Sequence, residues 1–266
     1  MFTRRLARLF SLLLIVGIAA GGWGQRKPGT MPLDLSTILT RMENATQANR
    51  LHFRNYILTR EYRLYGSSVA EPPQSEVTAE VSFAPPNRKT YQINRAEGKD
   101  RGRALVQSLL NGEVAESDNH SGAVDRRNYD FTLQGEEILD GHPCWRLQLH
   151  PKRADQELIS GETWVDENSY LVRRIEGDLA KSPSWWVKRV HATVTFSEIG
   201  GMWLLTATRA EADVRLIGRH ILLGQAVRIQ TQPQVANSSP AAVDSPLSPK
   251  RARSASPVLG AAVTNE

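Results

Sequence analysis

Residues 129–153 read YDFTLQGEEILDGHPCWRLQLHPKR. Tyr129, Phe131 and Leu133 alternate with polar neighbours, and so do Trp145, Leu147 and Leu149 against Cys144, Arg146, Gln148 and His150. Between the two runs stands Asp140-Gly141, a pair that adopts the positive φ angles of a tight hairpin turn. A period of two marks a strand with one face buried and one face wet, so this stretch predicts an antiparallel hairpin on a one-sided sheet.

The same pattern extends in both directions. Downstream, Thr163–Asp166 and Leu171–Glu176 flank a turn at Glu167-Asn168-Ser169, and Val190, Ala192, Val194 and Phe196 alternate with Arg189, His191, Thr193 and Thr195. Gly200-Gly201 turns the chain; Trp203, Leu205 and Ala207 begin another strand, and Ala212, Val214 and Leu216 form the last. Upstream, Tyr56, Leu58, Tyr62 and Leu64 share one strand face, with Thr59, Glu61 and Arg63 on the other. Val77, Ala79, Val81 and Phe83 follow in a strand stopped by Pro85-Pro86, and Lys89, Tyr91 and Ile93 indicate a half-polar third. Two helices are expected. Leu35, Ile38, Leu39, Met42 and Ala45 fall at helical spacing, with Asp34 or Ser36 as cap. Ala104–Leu110 is a short helix ended by Asn111-Gly112, with loop or frayed helix from Glu116 to Arg127.

The expected fold class is therefore α+β: helices set against one face of a curved antiparallel sheet of about 9 to 11 strands. Helices of about 15 and 8 residues are too short to cover that many apolar strand faces. Either the sheet closes on a packed core, or part of its concave face forms an apolar cavity open to a ligand.

The ends of the chain differ from its middle. Arg4, Arg5 and Arg8 precede an apolar run from Leu9 to Ala20 and then Gly21, Gly22 and Gly24. That order is the pattern of a secretory signal peptide over residues 1–24, too short to span a bilayer, with residues 25–30 as a linker. The expected location is the periplasm, the alternative being an uncleaved N-terminal anchor in the inner membrane. Residues 31–230 form the folded domain. Residues 231–266 hold five prolines, six serines and no aromatic residue, a composition that predicts disorder. Without the three leader arginines the formal charge of +5 falls to +2, which is no footprint for nucleic acid. The single cysteine, Cys144, rules out an internal disulfide, and no stable disulfide partner is expected.

Three stretches carry a resemblance: LSTILTRMENATQANRLHFRNYILTREYRLY (35–65), the 129–153 hairpin ending in Pro-Lys, and GETWVDENSYLVRRIEG (161–177). Together they resemble the outer-membrane lipoprotein-sorting proteins, the family of the periplasmic lipoprotein carrier. The resemblance implies an unclosed antiparallel barrel wrapped over short helices, with a hydrophobic cavity for acyl chains and no catalytic residues, metal or cofactor. It also implies an arginine tying a lid to the barrel; Arg60 and Arg63 are the two candidates, and the resemblance assigns the place to neither. The absence of a lipidation cysteine favours a soluble carrier over a membrane-anchored acceptor. Expected partners are lipoprotein acyl chains or other lipids and an inner-membrane transporter or regulator. The alternative function on this fold is an envelope-stress regulator that binds a membrane protein.

Enzyme signatures are missing: no Gly-x-Ser-x-Gly, His-Glu-x-x-His, Walker loop or Gly-x-Gly-x-x-Gly occurs. Cys144 and His150 lie about 20 Å apart at strand rise, too far to share a metal. Asp166 and Glu167 read as turn formers rather than an acid pair. The expected lining of the cavity is Val77, Val81, Trp145, Leu147, Val190, Val194 and Phe196. In an extended segment Trp185-Trp186 places one ring inward and one outward, and Arg173-Arg174 with Lys188-Arg189 put positive charge on neighbouring strands.

Overall fold

A computed structural model describes residues 34–119 and 121–231. The signal peptide, the linker and nearly all of the tail lie outside them; Thr231, assigned above to the tail, is the last residue of a strand. Ten strands form a single sheet: β1 (Tyr56–Tyr65), β2 (Ser75–Ala84), β3 (Arg88–Gly98), β4 (Tyr129–Leu139), β5 (His142–Pro151), β6 (Ile159–Asp166), β7 (Val172–Leu179), β8 (Val187–Ile199), β9 (Met202–Val214) and β10 (Gly218–Thr231). Their order is β3-β2-β1-β10-β9-β8-β7-β6-β5-β4, with every pair antiparallel. β1 pairs with β10, from Tyr56 opposite Thr231 to Tyr65 opposite Ile221, and joins the two meanders. β3 and β4 are left as edges, so the sheet curls without closing.

The hairpin that decided the reading forms as expected. Asp140 and Gly141 sit at φ 50° and 82°, and Leu147 pairs with Leu133 across the strands. Farther along, β6 and β7 approach at Gly161 and Gly177, which face each other; a Cβ on Gly177 would lie 2.3 Å from the Ser160 carbonyl oxygen. Only glycine permits that contact.

Helix α1 (Leu35–Leu51) starts at Asp34, whose Oδ1 accepts from the Thr37 N–H. The Thr37 N–H holds this carboxyl below its usual range. Ile38, Leu39 and Met42 are buried against Trp145, Leu147 and Val165. Helix α2 (Asp100–Asn119) is longer than the sequence reading allows, because it runs through Asn111-Gly112 instead of stopping there. A mid-helix glycine costs about 1 kcal/mol. Here its neighbours hold the turn: the Tyr91 hydroxyl donates to Asn111 Oδ1 at 2.6 Å, and Glu113 pairs with Arg60 and Lys89. Val106 and Leu110 pack on Tyr62, Leu64, Val77, Ala79, Val81 and Leu222.

The last strands also differ from expectation. Residues 202–214 make one strand rather than two, and Leu216 is a fully exposed turn residue at φ 70°. The final strand is β10. Its Ile221, Leu222 and Leu223 are apolar on both faces, which hides the period of two.

Candidate functional site

The strand register aligns side chains into rows across the concave face. One row runs Ala96, Val77, Tyr62, Gly224, Thr208, Val194, Ile175, Thr163, Leu147, Leu133, one residue from each strand. The next runs Leu64, Leu222, Ala210, Ala192, Gly177, Gly161, Leu149, Phe131. The rows are bulky where a helix covers them and small in the middle. α2 lies over β1–β3, and α1 packs on β5 and β6. Between the helices, Val190, Val194, Thr208 and Ala210 of β8 and β9 are half-buried, and Gly224 and Ala192 add no bulk. These residues make a strip of small, mainly apolar side chains, the trough, over β8 and β9; on β10 the Tyr62 ring lies over Gly224, and Ala192 is itself buried.

The residues expected to line a cavity fall into three groups. Val77 and Val81 are buried under α2, and Trp145 and Leu147 under α1. Val194 and Phe196 sit half-buried against a third cluster that contains Ile175 and Ala192, and Val190 lies four residues along β8 on the same face as Val194. They share one face of the sheet, but the helices separate them. A cleft of about 280 Å³ lies away from them at the ends of β1 and β2, beside Tyr56 and Phe83.

The polar chemistry of the concave face is concentrated at one point. Arg60 stands on the apolar face of β1, between Leu58 and Tyr62, and is 5% exposed. It pairs with Glu113 of α2, which also takes Lys89 Nζ at 3.1 Å. Burial alone would raise the Glu113 carboxyl, but Arg60 and Lys89 outweigh it and hold the group below its usual range. Burial likewise pushes the Tyr56 and Tyr62 hydroxyls up. Arg60 Nε has no partner, so the closed arrangement leaves one buried donor unsatisfied. Arg63, the other candidate for a lid arginine, is exposed and pairs with Glu61 and Glu76 of the sheet itself. The sequence carried a signal for this cluster: Arg60 breaks the apolar parity of Tyr56, Leu58, Tyr62 and Leu64, and Glu113 continues the helical spacing of Val106 and Leu110.

α1 is also held by polar ties. Asn49 exchanges two hydrogen bonds with the backbone of Trp203, and Arg126 reaches Glu43 and the Ser36 carbonyl.

The remaining candidates are structural. Asp166 accepts from the Asn168 and Ser169 N–H groups and from Arg173 Nε at 2.7 Å, anchoring the β6–β7 turn. Arg173 and Arg174 are engaged with Asp166 and Glu176 and lie over the rings of Trp203 and Trp164. Cys144 is fully buried, which pushes its thiol up to about 11. Trp185 and Trp186 differ from the inward–outward expectation: they occupy the β7–β8 turn, stack on each other at 4.3 Å, and are both exposed. A turn does not alternate faces as a strand does.

Among known proteins, a family model described as an uncharacterized-protein-like family matches residues 88–217. No curated protein matches the sequence. Among solved structures, the chain is similar to a DUF1329 family protein from Desulfovibrio piger, with 14% identity over 76% of this chain and 94% of that one and a TM-score of 0.40. It is similar to a putative outer membrane lipoprotein-sorting protein domain from Vibrio parahaemolyticus, with 11% identity over 75% and 94% and a TM-score of 0.38. It is also similar to a chain of the Pseudomonas aeruginosa MucA/MucB complex, with 11% identity over 74% and 99% and a TM-score of 0.23. The structural neighbours of this chain thus include DUF1329 and outer-membrane lipoprotein-sorting proteins.

Proposed function

We propose that the protein is a non-enzymatic, periplasmic binder of acyl chains, acting in lipoprotein sorting or lipid transport toward the outer membrane, and that the concave face of its sheet is the binding surface. The observation that carries this reading is the strip between α1 and α2, where the rows across the strands shrink to Gly, Ala, Thr and Val and the β8 and β9 side chains Val190, Val194, Thr208 and Ala210 stay half-buried. An acyl chain laid along that strip meets only apolar or small side chains, and each methylene it buries contributes about 0.8 kcal/mol. A trough this shallow holds only part of a chain. Lifting α2 adds Val77, Val81, Tyr62 and Leu222 to the surface. The Arg60–Glu113–Lys89 cluster is the latch that sets the cost of that motion. Its unsatisfied Nε, a defect worth about 1 to 3 kcal/mol, is relieved when water reaches it on opening.

Titration with a fluorescent fatty acid tests the reading. The native protein binds it saturably. Val194→Asp puts a charge in the trough and weakens binding at least about tenfold, the equivalent of two buried methylenes lost. Thr193→Asp, on the opposite face of β8, leaves binding unchanged. Non-saturable binding to the native protein, or equal loss in both variants, overturns it.

A further inference from the structure

The β7–β8 and β9–β10 turns meet at the end of the sheet opposite the Gly200-Gly201 turn, joined by a hydrogen bond from the Arg215 N–H to the Trp186 carbonyl at 2.7 Å. Their tips expose four large apolar side chains: Trp185 at 73%, Trp186 at 53%, Leu216 at 103% and Ile217 at 53%. Single exposed apolar residues are ordinary, but four on two adjoining tips form a patch. The two indole rings stack on each other instead of folding onto the sheet. Leu216 is held at φ 70°, a conformation a bulky residue adopts only under constraint, so the turn drives this side chain outward.

Charge surrounds the patch. The segments 181–189 and 211–219 carry Lys181, Lys188, Arg189, Arg215 and Arg219 against Glu211 and Asp213. Arg189 and Arg219 pair with Asp178 and Glu211. Among the described residues, Lys188 and Arg215 make no ion pair within 4.0 Å and are exposed. Trp beside aliphatic side chains and free cations is the composition that settles at the headgroup level of a bilayer, where the amphipathic indole meets both phases and cations meet anionic lipid.

We infer that these two turns are a membrane-docking tip, whose partner is the surface of a bilayer containing anionic phospholipid. The full exposure of Leu216 and the large exposure of Trp185 suit a deformable lipid surface rather than a pocket. The tip also lies at one end of the trough. Val187 pairs with Val214 beside the turns, and Val190 pairs with Ala212 three residues, or about 10 Å, farther in. Docking therefore presents the end of the trough to the lipid. The inference stands independently of whether the trough carries cargo.

The test uses the full chain with an environment-sensitive fluorophore attached at Leu216→Cys, with a second preparation labelled at Ile138→Cys. Cys144 is buried and does not compete for label. Ile138 is exposed near the Asp140-Gly141 turn, at the opposite end of the sheet. A probe at a defined position separates this contact from any membrane affinity of the N-terminal segment. Vesicles of phosphatidylcholine with phosphatidylglycerol are expected to blue-shift the Leu216 probe and leave the Ile138 probe unchanged. Phosphatidylcholine alone and high salt weaken the response. Trp185→Ser with Trp186→Ser in the Leu216→Cys background lowers vesicle affinity at least about tenfold, while the urea-unfolding midpoint is unchanged because both rings are exposed. Lys188→Gln with Arg215→Gln removes the preference for anionic vesicles. No shift at Leu216, an equal shift at Ile138, indifference to the tryptophan pair, a shift from self-association without vesicles, or one that requires a membrane protein in the vesicles each overturns the inference.

Discussion

Glu113→Gln is the most informative substitution. Glu113 pairs with a guanidinium that is 6% exposed by side chain, while its own side chain keeps 21% of its surface in water. Removing one partner of a buried pair costs about 3 to 5 kcal/mol, because the other charge stays buried without compensation. The residual exposure of Glu113 and the ability of Gln to hydrogen-bond Arg60 set the expected loss at the lower end, about 3 kcal/mol. That loss falls on the contact between α2 and the sheet. Two assays read it. Urea unfolding at neutral pH measures the loss of stability, and the fluorescent fatty-acid titration measures opening, which is expected to tighten binding as α2 lifts more easily. The carboxyl is held below its usual 4.5 when folded, so its contribution is present above that value and fades as the pH falls through the lower folded value. Glu113→Gln therefore flattens the acid limb of the stability profile. Arg60→Met with Glu113→Leu restores stability to within about 1 kcal/mol of native, since an apolar pair of similar volume suits the site. A Glu113→Gln protein that loses less than about 1 kcal/mol and binds the probe as the native protein does refutes the latch.

Other expectations follow from the same geometry. A short bis-maleimide bridge between Tyr91→Cys and Asn111→Cys, positions whose side chains touch at 2.6 Å, ties α2 to β3 and is expected to weaken probe binding; unchanged affinity contradicts the need for α2 to move. Cys144 is expected to stay unreactive toward thiol reagents in the native protein and to react fully after denaturation, as its burial and its value of about 11 dictate; native labelling points to local opening of β5. Gly177→Ala forces a Cβ into the Ser160 carbonyl, so the β6–β7 pair must separate locally; unfolding at lower urea is expected, and a midpoint equal to native contradicts the close strand approach.

The sheet was legible because its strands alternate strictly where one face is wet. β4, β5 and β8 show this, and Asp140-Gly141 and Gly200-Gly201 turn the chain where the sequence places them. β10 was hidden by apolar residues on both faces at Ile221–Leu223. α2 was cut short because Asn111-Gly112 is a local stop signal, and the ion pair and hydrogen bond that override it come from β1 and β3, far away in sequence. The face bearing Val77, Trp145 and Val194 could be read from parity. Which of these lies beneath a helix could not, because coverage depends on where α1 and α2 land on the sheet. Arg60 was legible as a parity break, and its partner only through the fold. An inward and an outward ring at Trp185 and Trp186 required an extended segment, whereas Pro183 and Ser184 lead into a turn that leaves both rings in the open.

The central claim is that the concave face holds lipid. Organic extraction and mass spectrometry of the protein, isolated from the cell envelope without detergent, test it most directly. The account predicts acyl-bearing lipid in near-stoichiometric amount, strongly reduced in Val194→Asp. A native protein that repeatedly yields no lipid, and takes none up from vesicles when Glu113→Gln frees α2, contradicts it.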